Sequence, residues 1–286
     1  MASLRDIRQK IKGVSSTGQI TNAMKMMSTA RLNRAIDLLK QSKVYSNKLS
    51  AMFHNIKRHI TPSKHRCLSK EEIKVSCIIV IGGERGLCGG FNQDLHRFAY
   101  ETIKNNRTKE IKLVTIGKKV SVFFSKTDIK PYRKIHDLNI KEAKDSLHDL
   151  CNELISLYLD KKIDEIRVVY TSFTSATKKS LTQQCLLPLT DEGNLFSKNE
   201  SSNIEFEFNP SPDFIFENLL PKYIQTTLFR FLLESNAAEQ SSRMTAMTSA
   251  TDRAEEIVDD LKLQLNRSRQ ALITQEISEV ISGSQI

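Results

Sequence analysis

KYIQTTLFRFLLESNAAEQSSRMTAMTSATDRAEEIVDDLKLQLNRSRQALITQEISEVIS, residues 222–282, runs for 61 residues with neither glycine nor proline. A continuous helix of that length would extend roughly 90 Å at 1.5 Å per residue. Globular helices are commonly about 8–20 residues long, so this one needs a partner along its length. Ile257, Val258, Leu261, Leu265, Leu272, Ile273, Ile277, Val280 and Ile281 recur at spacings of three and four, which places them along one side. Within it, Ser235–Thr251 is crowded with Ala, Ser, Thr and Met, residues that let a second helix approach closely.

The partner stands at the other end of the chain. Ile7, Ile11, Ile20, Met24, Met27, Ile36 and Leu39 repeat at similar intervals, and the first proline is Pro62. Gly13 and Gly18 interrupt this segment, each costing up to about 1 kcal/mol relative to alanine. Two long helices at opposite ends of one chain bury each other's stripes by forming a two-stranded coiled coil. Because the chain has to return on itself, the expected pairing is antiparallel.

The middle has another texture. Val75–Gly82 (VSCIIVIG) and Ile111–Gly117 (IKLVTIG) read as buried strands. Asn92–Ile103 and Lys118–Phe124 have helical spacing. Lys141–Leu159 is an expected helix carrying Leu147, Leu150, Cys151, Leu154, Ile155 and Tyr158 on one face. Ile163–Phe173 and Cys185–Leu189 continue the strand pattern, Asp191–Asn203 is a polar loop, and Ile204–Phe208 a short edge strand. Alternation of this kind favours βαβ units, parallel strands and a helical cover.

Composition narrows the function. With 39% hydrophobic and 27% charged residues, the chain is neither a membrane protein nor a disordered tail. Its longest dense apolar run, Cys77–Ile81, is far too short for a bilayer span. No targeting segment precedes the periodic pattern, so a cytoplasm-like compartment is expected. Five scattered cysteines lack a CxxC pair, which fits reduced structural thiols and no metal site. The six histidines are isolated; His54, His59 and His65 read as a solvated face.

The net charge of +10 is local. Residues 1–60 hold twelve Lys or Arg against Asp6 and Asp37, a surplus equal to the whole excess. Arg5, Arg8, Lys12, Arg31 and Arg34 form the basic run. A solvated face, nucleic acid, a membrane surface and an acidic protein partner all fit such a run. Nucleic acid is disfavoured, because interleaved aromatics and a helix-turn-helix signature are missing.

Gly82-Gly83-Glu84-Arg85-Gly86-Leu87-Cys88-Gly89-Gly90-Phe91-Asn92 follows a strand and precedes a helix, the context of a phosphate loop. A P-loop needs Lys and Ser/Thr after its glycines, and none follows here. The dinucleotide spacing GxGxxG also fails. A structural turn is the favoured reading, with Cys88 a small residue inside it rather than a nucleophile.

Three blocks together resemble the gamma subunit family of F-type ATP synthases. The first is Ile7-Arg8-x-Lys10-Ile11-Lys12…Thr17-x-x-Ile20-Thr21-x-Ala23-Met24-Lys25-Met26. The second is Arg85-Gly86-Leu87-Cys88-Gly89-Gly90-Phe91-Asn92. The third is Glu239-Gln240-x-x-Arg243-Met244-x-Ala246-Met247-x-x-Ala250-Thr251, followed by Asn266-x-x-Arg269-Gln270-Ala271-x-Ile273-Thr274-x-Glu276-Ile277-x-Glu279. The likeness covers nearly the whole chain in the expected order.

The resemblance implies the α/β class: a long antiparallel coiled coil of N- and C-terminal helices plus a Rossmann-like α/β domain. The implied segments are an N-terminal coiled-coil helix (1–62), the Rossmann-like domain (72–210) and a C-terminal coiled-coil helix (212–286). It implies a non-catalytic rotor, the central stalk, coupling proton flow through the membrane sector to ATP synthesis or hydrolysis inside an alpha/beta hexamer. No catalytic residue, cofactor or metal is implied. Expected partners are the alpha, beta, epsilon and c-ring subunits, with delta in the same complex, and neither nucleic acid nor a transmembrane span.

Carried over by motif, Met24, Lys25, Arg243, Arg269, Gln270, Thr274, Glu276 and Glu279 are the implied subunit-contact residues. An acidic loop on beta is the implied addressee of the basic first sixty residues. Glu255, Glu256, Asp259 and Asp260 are expected near the basic first helix. Gly83-Glu84 departs from the family's usual Ser-Asp, which bears on the turn's local hydrogen bonding. The redox cysteine pair of plastid members is missing, since only Cys185 lies between Ser175 and Asn209. A bacterial source is expected, with the protein held peripherally on the cytoplasmic side of the plasma membrane.

Overall fold

A computed structural model describes residues 4–61, 65–69, 71–106, 108, 110–136, 143–175, 178–189 and 208–283. Helix α1 spans Leu4–Arg58 and helix α5 spans Pro212–Gly283. Between them come β1 (Val75–Ile81), α2 (Phe91–Lys104), β2 (Glu110–Ile116), α3 (Lys118–Ser125), β3 (Arg133–Ile135), α4 (Ala143–Leu159), β4 (Glu165–Phe173) and β5 (Lys179–Leu187). The chain forms two compact units, Met1–Ala30 with Arg243–Ile286, and Arg31–Ser242. The division runs through both long helices rather than between them and the sheet.

In the first unit, α1 and α5 are antiparallel. A Cβ placed on Gly18 would lie 3.3 Å from the Cβ of Ala254. Three residues on, the Thr21 and Thr251 hydroxyls share a hydrogen bond of 2.8 Å. One covered stripe of α1 alternates three and four, through Ile7, Ile11, Val14, Gly18, Thr21, Lys25 and Ser28, then Leu32, Ala35, Leu39 and onward, with Asn22, Met24, Thr29 and Ile36 partly covered beside it. That is the heptad of a coiled coil. It also corrects the predicted stripe, because Ile20 and Met27 are exposed, one position off the seam. Apolar periodicity alone missed the seam because small and polar residues occupy its middle, where the helices come closest. On α5 the stripe holds through Thr251, Ala254, Val258, Leu261 and Leu265; from Arg269 to Ile281 every residue is exposed.

The second unit is built on a five-stranded sheet ordered β3-β2-β1-β4-β5. β1 pairs in parallel with β2 and β4, and β2 with β3. β5 is antiparallel to β4, so the predicted strand Cys185–Leu189 is the end of a longer hairpin arm rather than another parallel strand. The central strands are apolar on both faces, as parallel strands covered on both sides must be. Ile78 and Val80 point to Leu95 and Ala99 of α2 and to Val120 and Phe124 of α3. Cys77, Ile79 and Ile81 point the other way, to a core shared with α4, Phe53 and Ile56 of α1, and Phe216, Leu228 and Phe231 of α5. Phe53 stacks on Tyr223 with centroids 4.5 Å apart and packs tilted against Phe216 at 5.1 Å.

α5 starts ten residues before the glycine- and proline-free run and carries Pro221 inside it. Proline removes one helical hydrogen bond; burial of Phe216, Leu220, Tyr223 and Ile224 around it holds the helix together. The expected strand at Ile204–Phe208, apart from Phe208 itself, lies outside the described residues. So do the polar loop Asp191–Asn203, Lys141 and Glu142.

Arg66, in a short 3₁₀ turn after α1, ties that segment to the sheet. Its guanidinium donates to Asp164 at 2.7 Å and to Glu71 at 3.0 Å, bonds the carbonyls of Tyr158 and Ile163, and lies over the Tyr158 ring. Asp164 also accepts from the Lys74 and Val75 amides at 3.0 and 2.9 Å. Burial works against the Asp164 carboxylate, but the two amides and Arg66 outweigh it and hold its pKa below the usual carboxylate range. A depressed pKa adds stability that is full above the unfolded-state value, about 4, and disappears as pH falls through the folded-state value. Arg66→Ala is expected to cost about 3 kcal/mol by leaving a half-buried carboxylate and two carbonyls without their donor. Asp164→Asn should flatten the acid limb of stability against pH, both read from denaturant midpoints between pH 2 and 7.

Candidate partner-binding surfaces

The glycine-rich turn is a joint between two βα loops. Leu87 and Gly89 are left-handed, with φ of 61° and 58°. The Asn92 amide reaches back to the Arg85 carbonyl at 3.2 Å and the Cys88 sulfur at 3.1 Å. A Cβ on Gly117, whose φ is 110°, would meet the Gly82 carbonyl oxygen at 2.5 Å, so the two loops touch backbone to backbone. The Gly83 carbonyl accepts from the Lys119 amide at 3.0 Å.

Helix N-termini attract anions, and both beside this turn already have one. Glu84 accepts from the Lys118 amide at 3.2 Å at the start of α3. Asp94 lies in the first turn of α2, its carboxylate 2.9 Å from where a Gly90 Cβ would be. The turn is therefore built for packing, with the Glu84 carboxylate already on the first amide of α3 and a second carboxylate, Asp94, in the first turn of α2.

The remaining chemistry-bearing residues are structural. Burial pushes the Cys67 thiol up to about 11, and those of Cys77, Cys151 and Cys185 to about 12, so all four stay protonated at neutral pH. His65 departs from the expected solvated face. It bonds Asp213 at 3.0 Å and packs on the Phe216 ring. His59 packs on Phe208, and the His54 side chain lies outside the described residues. Among the described residues, no group of His, Cys, Asp or Glu could hold a metal ion.

The implied contact residues fall into three classes. Arg269, Gln270, Thr274, Glu276 and Glu279 are all exposed, on a stretch of α5 that also bares Leu272, Ile273, Ile277, Val280 and Ile281. An apolar surface of that length in water marks an interaction site. Met24 and Lys25 are half-buried at the seam of α1. Arg243 is buried, with 5% exposure, so it acts from within the chain's own packing. Arg5, Arg8, Lys12, Arg31 and Arg34 are exposed and form a cationic surface on α1.

Glu255 and Asp259 line a groove with Val14, Ser15, Gly18, Gln19 and Asn22, an uncharged face of α1. Their side of α5 carries pairs within the helix, Arg253 to Glu256 at 2.6 Å and Lys262 to Asp259 at 2.9 Å. Of the four acidic residues expected near α1, Glu255 and Asp259 thus lie beside it, facing its polar rather than its basic side.

Comparison with known proteins agrees with this architecture. A family model described as ATP synthase matches residues 3–285. The ATP synthase gamma chain of Chlorobaculum tepidum is 37% identical across 99% of this chain and 98% of the relative. That of Desulfitobacterium hafniense is 36% identical across 99% of both. The fold is similar to a chain in the rotor of the Euglena gracilis mitochondrial ATP synthase, with TM-score 0.64, 16% identity, and coverage of 94% of this chain and 98% of that one. A chain of the Tetrahymena thermophila mitochondrial ATP synthase central stalk and c-ring gives TM-score 0.60 at 23% identity, covering 81% and 99%.

Exposure predicts different costs along α5. Arg269→Ala, Gln270→Ala and Glu279→Ala should each leave the isolated chain's stability within about 0.5 kcal/mol, as surface changes do. Arg243→Ala should cost about 2 kcal/mol by stranding buried partners. Thermal unfolding of the four purified variants measures this.

Proposed function

This chain belongs to the ATP synthase gamma family, and on that premise we propose which of its surfaces meets which partner. As a member it is a central-stalk subunit of an F-type ATP synthase and contains no catalytic site of its own. The exposed tip of α5 carries the proposal: Arg269–Ile281 is exposed all round and bares Leu272, Ile273, Ile277, Val280 and Ile281 along one broad face, a helix suited to standing inside a sleeve.

That sleeve is the ring of alpha and beta subunits. Arg269, Gln270, Thr274, Glu276 and Glu279 contact it from the tip, with Met24 and Lys25 lower on the shaft. The basic face of α1 meets an acidic loop on beta, a contact that salt would weaken. The α/β domain meets epsilon and the c-ring, with delta elsewhere in the same complex. Among the described residues no helix is long and apolar enough to cross a membrane. The subunit is held through its partners, peripherally, at the cytoplasmic face of a bacterial plasma membrane.

The mechanism follows from asymmetry. Three chemically identical catalytic sites around one shaft touch different faces of it, so each site has a different contact energy at each angle. Turning the shaft exchanges those energies. Driving a two-state site from 1:99 to 99:1 needs about 5.5 kcal/mol of differential interaction, within reach of a few buried contacts and charge pairs. Ion flow through the membrane sector turns the α/β domain; the helices carry the angle to the sites.

A tagged chain purified from its native membranes should bring alpha, beta, epsilon and c subunits, with ATPase activity. Deleting residues 268–286 should remove the activity or the assembly. Recovery of the chain alone, or with unrelated proteins, would contradict the assignment.

A further inference from the structure

A central-stalk subunit has to pass twist between its α/β domain and its helices. Apolar packing is non-directional, so it resists separation of a helix from a sheet better than it resists sliding. Hydrogen bonds have preferred distances and angles, and oppose sliding directly.

Such contacts are concentrated on two turns of α5. Ser172 on β4 donates to the Glu234 carboxylate at 2.9 Å. The Ser235 hydroxyl donates to the carbonyl of Ile81, the last residue of β1, at 3.3 Å. The Glu239 carboxylate stands over the glycine-rich turn, its Cδ 3.2 Å from where a Gly83 Cβ would be. Lys179, the first residue of β5, donates to Ser242 at 2.9 Å. Ala237, Ala238 and Ser241 are fully buried among them, which brings the helix close to the sheet.

The location is specific. From β1 the chain winds outward to β2 and β3 on one side, while β4 and β5 lie on the other. The carboxyl ends of β1 and β4 therefore flank the switch point, where open α/β sheets ordinarily hold a ligand. Here the chain's own helix reaches into it. Arg230, Glu234 and Glu239 are each less than a tenth exposed. Buried charges are weak devices for stability, since apolar residues of similar volume often serve as well; what they fix is register.

We propose that Glu234, Ser235, Glu239 and Ser242 form a polar key in the switch-point crevice. The key stops α5 from sliding or turning on the sheet, and its members are torque-positioning residues of the central stalk. This rests on the central-stalk reading above.

The test uses the assembled ATP synthase with the alpha/beta ring immobilised and a probe fixed to the α/β domain. Ser235→Ala with Ser242→Ala removes two of the four contacts at nearly constant volume. The part of the probe's angular variance at a catalytic pause that arises between helix and sheet should then roughly double, as for equal springs in parallel, raising the total, with subunit composition and ATPase rate kept. Lys179→Met, which leaves α5 untouched, should raise the variance in the same direction. Leu228→Ala, a purely apolar truncation, should lower the melting temperature and leave the variance alone.

Unchanged variance in an active complex carrying Lys179→Met or the double substitution would refute the key and leave the stalk assignment standing. Variance that merely follows melting temperature across all variants, Leu228→Ala included, would refute it too. Failure of the unsubstituted chain to assemble with alpha and beta would instead sink the stalk assignment itself.

Discussion

A Cβ on Gly18 would lie 3.3 Å from that of Ala254, and the Thr21 and Thr251 hydroxyls share a hydrogen bond across 230 positions of sequence. This close antiparallel seam is the constraint from which the rest follows. It asks for small residues where the helices touch, so Gly18, Thr21 and Ser28 take heptad positions that leucine or isoleucine would otherwise fill. Gly18 costs about 1 kcal/mol of helix propensity relative to alanine and permits the approach. The seam also requires the two ends of the chain to meet, so the α/β domain has to be an insertion between them. Both long helices consequently enter two compact units.

Burial along α5 records what each part of the helix serves. Around Leu228–Ser241 it is covered on nearly every side by the sheet, α4 and α1. From Met247 to Leu265 one stripe is covered, the requirement of a two-stranded coil. Beyond Ser268 none is. An isolated helix tip with five bare large apolar residues would be a liability in a free monomer. In the proposed function it is the part that other subunits enclose.

Much of this was legible in the residues. Spacing of three and four announced both long helices, helped by the absence of glycine and proline over residues 222–282 and of proline before Pro62. Val75–Ile81, Glu110–Ile116 and Glu165–Phe173 stood out because a strand buried on both faces is apolar without alternation. β3 was not legible: Arg133–Ile135 is three residues with two charges, and only its neighbour β2 makes it a strand. The direction of β5 was hidden because a hairpin and a crossover leave similar strand patterns. Ile20 and Met27 misled because the seam next to them is polar and small. Arg66 and Glu239 carry weight through partners distant in sequence, Asp164 and Gly83, and no local pattern reports such a pairing. Among the implied contact residues, those at the tip of α5 are exposed while Arg243 is buried, a difference that no local sequence pattern announces.

The most direct measurement is single-molecule rotation. The alpha/beta ring is fixed to a surface, and a probe is attached to the α/β domain of this chain. Unidirectional, stepwise rotation that starts with ATP and stops when ATP is withdrawn is the predicted result. ATP hydrolysis at the normal rate with a stationary or randomly fluctuating probe would contradict the account, because a shaft that does not turn cannot select the states of the sites around it.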